Sequence, residues 1–221
     1  MKLSKRLQAI YNLVNSPCIL ADIGCDHALL PIALVQGKKC TQAYACDVNR
    51  GPLERGAKAI ADAELENKIQ TILTNGLQGV PEGVSCITIA GMGWETISSI
   101  LEHDLDKAYA CKQLILQSNN HVDDLRQWLM NHHFVIDQED LVYEQHFYTI
   151  LSVHPGDEIL SAKQIQFGKF LDHHPLTNHY WNHVIEKKKV ILAHLSNEHE
   201  MYKIVSDEIC KIESYLQSCQ L

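Results

Sequence analysis

The 221-residue chain contains no run approaching the ~20 apolar residues that a membrane helix needs, so a spanning segment is not expected. Behind the charged start Met1-Lys2-Leu3-Ser4-Lys5-Arg6 there is no apolar core of a secretory signal. Leu7-Gln8-Ala9-Ile10-Tyr11-Asn12 alternates polar and apolar residues, and a cytoplasmic location is expected. The eight cysteines include no Cys-x-x-Cys pair. Six of them (Cys18, Cys25, Cys40, Cys46, Cys86 and Cys111) lie in or beside apolar runs and read as reduced core thiols rather than as disulfides or a zinc site. Basic residues are also few. Nineteen Lys and Arg stand against 27 Asp and Glu, a net charge of −8, which excludes a general nucleic-acid binder but not an enzyme with a local basic surface. Thirteen histidines include no His-Glu-x-x-His frame, and His179 with His183 reads as chance spacing, so no metal is expected.

What is present is an alternation of short β-like runs with helical stretches. A helix over 3–15 carries Leu3, Leu7, Ile10, Tyr11 and Val14 on one face. Strands follow at 18–23, 42–47, 69–73, 84–90 and 113–117, separated by helical patterns at 27–35, 51–63, 94–105 and 122–130. Two further β runs, 134–143 and 147–153, lie close enough to close the sheet as a hairpin or antiparallel edge. The alternation predicts an α/β fold, a doubly wound, mostly parallel sheet with helices on both faces. Near-continuous apolar strands such as Ile87-Thr88-Ile89-Ala90 suit strands covered on both sides.

The pattern changes at His154-Pro155-Gly156-Asp157. Beyond it Trp181, Val184, Lys188, Ile191, Leu195, Glu198, Tyr202, Val205, Ile209, Ile212 and Leu216 step by threes and fours, a heptad seam. Two antiparallel helices, 178–196 and 199–218, with a turn at Ser196-Asn197-Glu198, are expected; one continuous dimerising helix has the same spacing. The domains are thus 1–155, a Rossmann-like catalytic domain, and 156–221, a small coiled-coil-like helical hairpin. A monomer is favoured.

Ligands of a doubly wound sheet bind outside the carboxyl ends of its strands. The first strand ends in Asp22-Ile23-Gly24-Cys25-Asp26-His27, whose glycine permits a tight turn at a ligand. The fingerprint G-x-G-x-x-G is absent, so a dinucleotide pyrophosphate has no cradle. A single-glycine turn between polar residues suits a ligand with an amino-acid tail, as in S-adenosyl-L-methionine. Asp47, followed by Val48, ends the second strand and is placed to accept both hydroxyls of a ribose. Asn75-Gly76-Leu77 follows the third strand, with Asn75 facing an adenine edge. Ala90-Gly91-Met92-Gly93 follows the fourth, leaving room for a flat substrate.

These four segments, with Leu114-Ile115-Leu116-Gln117-Ser118-Asn119, Leu125-Arg126-Gln127-Trp128-Leu129 and Tyr143-Glu144, resemble the bacterial tRNA (adenine-22-N1)-methyltransferases. The likeness covers residues 1–155 closely and the helical tail in kind. It implies a class I S-adenosyl-L-methionine fold, and methyl transfer to N1 of adenine 22 of tRNA. Three positions depart from the pattern: Cys25 replaces Ser or Thr, Asn75 replaces an acid, and Trp94 replaces a third glycine.

For that chemistry Asp26 is the candidate to stabilise the cationic base or take its N6 proton, with His27 orienting it or contacting the nucleic acid; the alternative for Asp26 is a helix N-cap. Lys5, Arg6, a stacking Trp94 and the triplet Lys187-Lys188-Lys189 are candidate RNA contacts. Residues 155–221 nevertheless carry seven Lys against nine acids, so the tail is no basic arm. Other readings are methylation of another RNA base or a small molecule, and a non-catalytic RNA-binding scaffold. No Asn-Pro-Pro-Tyr is present to serve an exocyclic amine.

Overall fold

The computed structural model describes residues 2–196 and 198–219. Its contacts divide the chain into two compact units, residues 1–169 and 170–221. The first is a seven-stranded sheet ordered β3-β2-β1-β4-β5-β7-β6, with β1 Cys18–Ile23, β2 Cys40–Asp47, β3 Ile69–Leu73, β4 Cys86–Met92, β5 Gln113–Ser118, β6 Phe134–Tyr143 and β7 Phe147–Pro155. The first five strands are parallel. β7 runs antiparallel between β5 and β6, so the expected hairpin closes the sheet with its second strand inward. The run read at 134–143 is one strand, with an irregularity between Ile136 and Gln138.

Every residue of β5 is buried, and its side chains alternate between two apolar layers. Leu114 and Leu116 join the layer of Ile87, Ile97, Leu101, Leu125 and Leu129, while Ile115 joins that of Ile10, Leu20, Leu34 and Ile60. The first layer is covered by α4 Trp94–His103, α5 Leu105–Ala110 and α6 Val122–Asn131. The second is covered by α1 Lys5–Leu13, α2 Leu29–Gln36 and α3 Arg50–Asp62. Each fully buried Leu or Ile contributes about 1.5–3 kcal/mol, and the strands hold the site in place through these two layers.

Residues 156–169, assigned above to the tail, pack in the sheet unit. After α7 (Ala162–Phe167), capped by Ser161, the Lys169 ammonium reaches Ile136 O at 2.6 Å and Glu158 Oε2 at 2.5 Å. The buried Arg126 joins Glu139 at 2.6 Å and Ile165 O at 2.9 Å. A buried ion pair of this kind is invisible to hydrophobic periodicity, which is why the division falls after 169 rather than 155.

The second unit contains α8 Thr177–Leu192 and α9 Glu200–Ser218. Lys188 pairs with Glu208 and Trp181 packs edge-on against Tyr215, so the helices are antiparallel and form a hairpin. Of the expected turn, Asn197 lies outside the described residues. The seam holds in α9, where Val205, Ile209, Ile212 and Leu216 are buried, but shifts in α8: Ile185 is buried and Ile191 is half exposed.

Candidate active site

At the end of β1 the chain turns at Gly24, φ +77°. That backbone angle favours glycine, and a Cβ there would lie 2.4 Å from Met92 Cε, displacing the end of that side chain. The Gly24 and Cys25 amides both donate to Cys46 O, at 2.8 and 3.1 Å, which stitches the loop to β2. His27 and Ala28 then take left-handed conformations, and the helix expected from residue 27 starts at Leu29. Asp26 therefore caps no helix. Its Oδ1 accepts from Arg55 Nη2 of α3 at 2.9 Å, and His27 Nε2 stands 3.6 Å away, all three side chains being largely exposed.

A cavity of about 420 Å³ opens outside the carboxyl ends of β1 to β4. It is lined by Ile23, Gly24, Asp47, Val48, Asn75, Gly76 and Met92 from the residues singled out in the sequence. One Asp47 oxygen accepts from the Asn49 amide at 2.8 Å; the other has no partner among the described residues. Val48 offers an apolar surface that is 62% exposed. At Gly76, φ +57°, a Cβ would press to 3.2 Å of Ile100 Cγ2. Thr74, Glu95, Thr96, Ser99 and Ile100 complete the lining. Sequence reasoning missed these five, because Glu95, Thr96 and Ser99 read as the ordinary polar face of an amphipathic α4.

Several expected ligand contacts lie elsewhere. Asp22 is buried beside the cavity, where Thr88 Oγ1 donates to it at 2.5 Å. Burial, opposed by that bond and by the charge of Arg6, pushes its carboxyl up to about 6. The Leu77 side chain is in the core, and its carbonyl accepts from Lys107 at 2.8 Å. Ala90, Gly91 and Gly93 do not line the cavity, nor do Asp26 and His27.

Gly91, φ +80°, belongs to a second cluster toward β5 and β7. Its amide donates to the buried Gln117 Oε1 at 3.0 Å and its carbonyl accepts from Asn119 Nδ2 at 2.8 Å. Gln117 Oε1 also accepts from Arg6 Nη1 at 2.9 Å, and Gln117 Nε2 donates to Asn119 at 3.1 Å. Arg6 lies 5.5 Å from the centre of the Tyr148 ring. Trp94 packs against the core, and its amide donates to Asn120 Oδ1.

Of the lysines, Lys5 reaches Tyr143 O at 3.3 Å, Lys188 pairs with Glu208 at 2.6 Å and Lys189 with Glu186 at 3.1 Å. Lys187 is exposed with no partner among the described residues. His121, Asp123 and Asp124 converge at the exposed start of α6, and exposed acidic groups of this kind are common without an ion.

Over residues 20–214 the chain matches the model of the tRNA (adenine(22)-N(1))-methyltransferase family. A Bacillus subtilis tRNA (adenine(22)-N(1))-methyltransferase is 35% identical over 159 residues, 71% of this chain and 67% of the relative. A Streptococcus pneumoniae protein, proposed to be a tRNA (m1A22) methyltransferase and solved with S-adenosyl-L-methionine, superposes with a TM-score of 0.91. It shares 40% identity, covering 97% of this chain and all of that one. A Mycoplasma capricolum relative solved with S-adenosyl-homocysteine gives a TM-score of 0.89 at 33% identity, covering 98% and 99% of the two chains.

Proposed function

The chain belongs to the tRNA (adenine(22)-N(1))-methyltransferase family, and we propose that it acts as such an enzyme, moving a methyl group from S-adenosyl-L-methionine to N1 of adenine 22 in tRNA. The observation that carries this reading is the cavity at the carboxyl edge. Its volume falls within the ~300–1,000 Å³ range of small-molecule sites. The residues fit the cofactor: Gly24 keeps the floor open where a side chain would fill it, Asp47 offers a carboxylate oxygen for ribose hydroxyls, and Val48 and Ile100 supply apolar faces for an adenine. Asn75 and Gly76 would border its edge. Ionised Asp22, beneath the loop, would draw the ammonium of its amino-acid tail.

The cofactor supplies an electrophilic sulfonium methyl. Adenine N1 carries an in-plane lone pair, so the chain's main task is to align nitrogen, methyl and sulfur at near-attack distance. Because N1 lies on the Watson–Crick edge, the adenine must leave its stack to reach the site. Asp26, two residues past Gly24 and held by Arg55, is the carboxylate proposed to offset the positive charge of the methylated base, with His27 beside it. Lys5 and Lys187 are the surface lysines proposed to meet tRNA phosphates, and Trp94 a stacking face. A cytoplasmic monomer that uses no metal is proposed; among the described residues no helix is long and apolar enough to cross a membrane.

The test is incubation of the protein with methyl-labelled cofactor and bulk tRNA, followed by nucleoside digestion. Label in 1-methyladenosine is expected. Label in another nucleoside or in small molecules alone contradicts the assignment, and failure to bind the cofactor reduces the protein to a scaffold.

A further inference from the structure

Arg6 carries a charge that its surroundings leave unspent. It enters from α1, outside the strand-and-turn segments that form the cofactor cavity, and is half buried at the carboxyl edge of the sheet. One Nη donates to Gln117 Oε1 at 2.9 Å, and the guanidinium lies 5.5 Å from the centre of the Tyr148 ring. Its terminal nitrogen would stand 3.2 Å from a Cβ at Gly91, so the bare backbone there gives the guanidinium its place. Arg6 forms no ion pair among the described residues. The buried Asp22 feels its charge from beyond contact distance and is itself satisfied by Thr88.

A guanidinium has five donors, and an amide oxygen and an aromatic face use few of them. Desolvating part of a cation without a carboxylate is costly, and neither Gln117 nor Tyr148 neutralises it. The group is also preorganised, because Gln117 Oε1 is held in turn by the Gly91 amide and Gln117 Nε2 by Asn119. A fixed, unpaired guanidinium beside a glycine peptide matches the planar, bidentate recognition of a phosphate.

We propose that Arg6 binds the phosphate flanking the extruded target adenosine, so that the N-terminal helix grips the nucleotide whose base is methylated. This rests on the tRNA methyltransferase reading above. The role differs from that of a surface lysine: Arg6 acts on one phosphate at the reacting nucleotide, not on the general tRNA backbone. A rigid charge-assisted contact of this kind is worth roughly ten- to hundredfold in the rate of transfer at limiting tRNA.

The experiment crosses protein and substrate changes. Single-turnover methyl transfer is measured for the parent and Arg6→Ala, each with an ordinary tRNA and with tRNAs carrying one neutral methylphosphonate 5′ or 3′ of adenine 22. Arg6→Gln serves as a second variant, and cofactor affinity and thermal midpoint are followed for both. For the parent, one of the two neutral linkages should cost about ten- to hundredfold. Arg6→Ala should cost as much on ordinary tRNA and lose nothing further on that neutral linkage, both at saturating cofactor. The proposal is overturned if the two losses multiply, if Arg6→Ala transfers at the parent rate, or if the variants fail through cofactor binding. A parent protein that methylates no tRNA would instead remove the functional reading on which the inference stands.

Discussion

Asp22 is a buried carboxyl whose ionisation works against the stability of the fold. An unfolded Asp titrates near ~3.9, whereas burial holds the folded carboxyl near 6. Between those values the folded chain keeps a proton that the unfolded chain has released, so stability falls as pH rises, by up to about 3 kcal/mol. Asp22→Asn should remove that slope. The variant should match the parent near pH 4, exceed it in stability above pH 6, and bind S-adenosyl-L-methionine more weakly at neutral pH. Urea midpoints for both proteins across this range check the first part, and parallel curves contradict it. Gly24→Ala should reduce cofactor affinity at least tenfold, read by calorimetry, because it places a methyl against Met92 at a backbone angle that costs an L-residue about 1–2 kcal/mol. The glycine turn and Asp47 were legible in the sequence because strand ends and small residues mark ligand edges. The partners of Asp26 and Arg6 were not: Arg55 is 29 positions from the first and Gln117 is 111 from the second, and no local pattern encodes either.

At the scale of elements, the β1–β5 alternation and the helix pair were readable because each strand and helix states its own burial period. The order of the last two strands, and the end of the first unit, depend on long-range pairing. Lys169 and Arg126 fasten residues 156–169 through polar contacts that no apolar pattern announces. Removing one partner of the buried Arg126–Glu139 pair leaves an uncompensated charge, so Glu139→Ala should destabilise the first unit by about 3–5 kcal/mol in denaturant titrations. In the hairpin, strict heptad spacing placed Ile191 in the seam, but the 3.6-residue period of α8 turns it outward and brings Ile185 in. Ile185→Ala should therefore cost about 2–4 kcal/mol of unfolding free energy and Ile191→Ala less than about 1, by chemical unfolding followed by circular dichroism. Equal costs would restore the seam read from spacing. Lys188, a polar member of that seam, is accommodated because its ammonium reaches Glu208.

The whole molecule carries −8 yet must hold a polyanion, so tRNA affinity has to come from a few placed cations. Two of the three lysines at 187–189 already face carboxylates. Replacing all three with Ala should therefore lower the dependence of tRNA affinity on log salt by about one unit, the share of a single contact. A fall of about three would make the triplet a clamp. What joins these observations is the claim that the cavity from Gly24 to Ile100 presents a methyl group to one base of tRNA. The most direct measurement is primer extension and methyl incorporation on two transcripts that differ only in having adenine or guanine at position 22. One methyl per molecule and a reverse-transcription stop at position 22 should appear with adenine, and neither with guanine. Equal incorporation into both transcripts, or a stop elsewhere, would contradict the account.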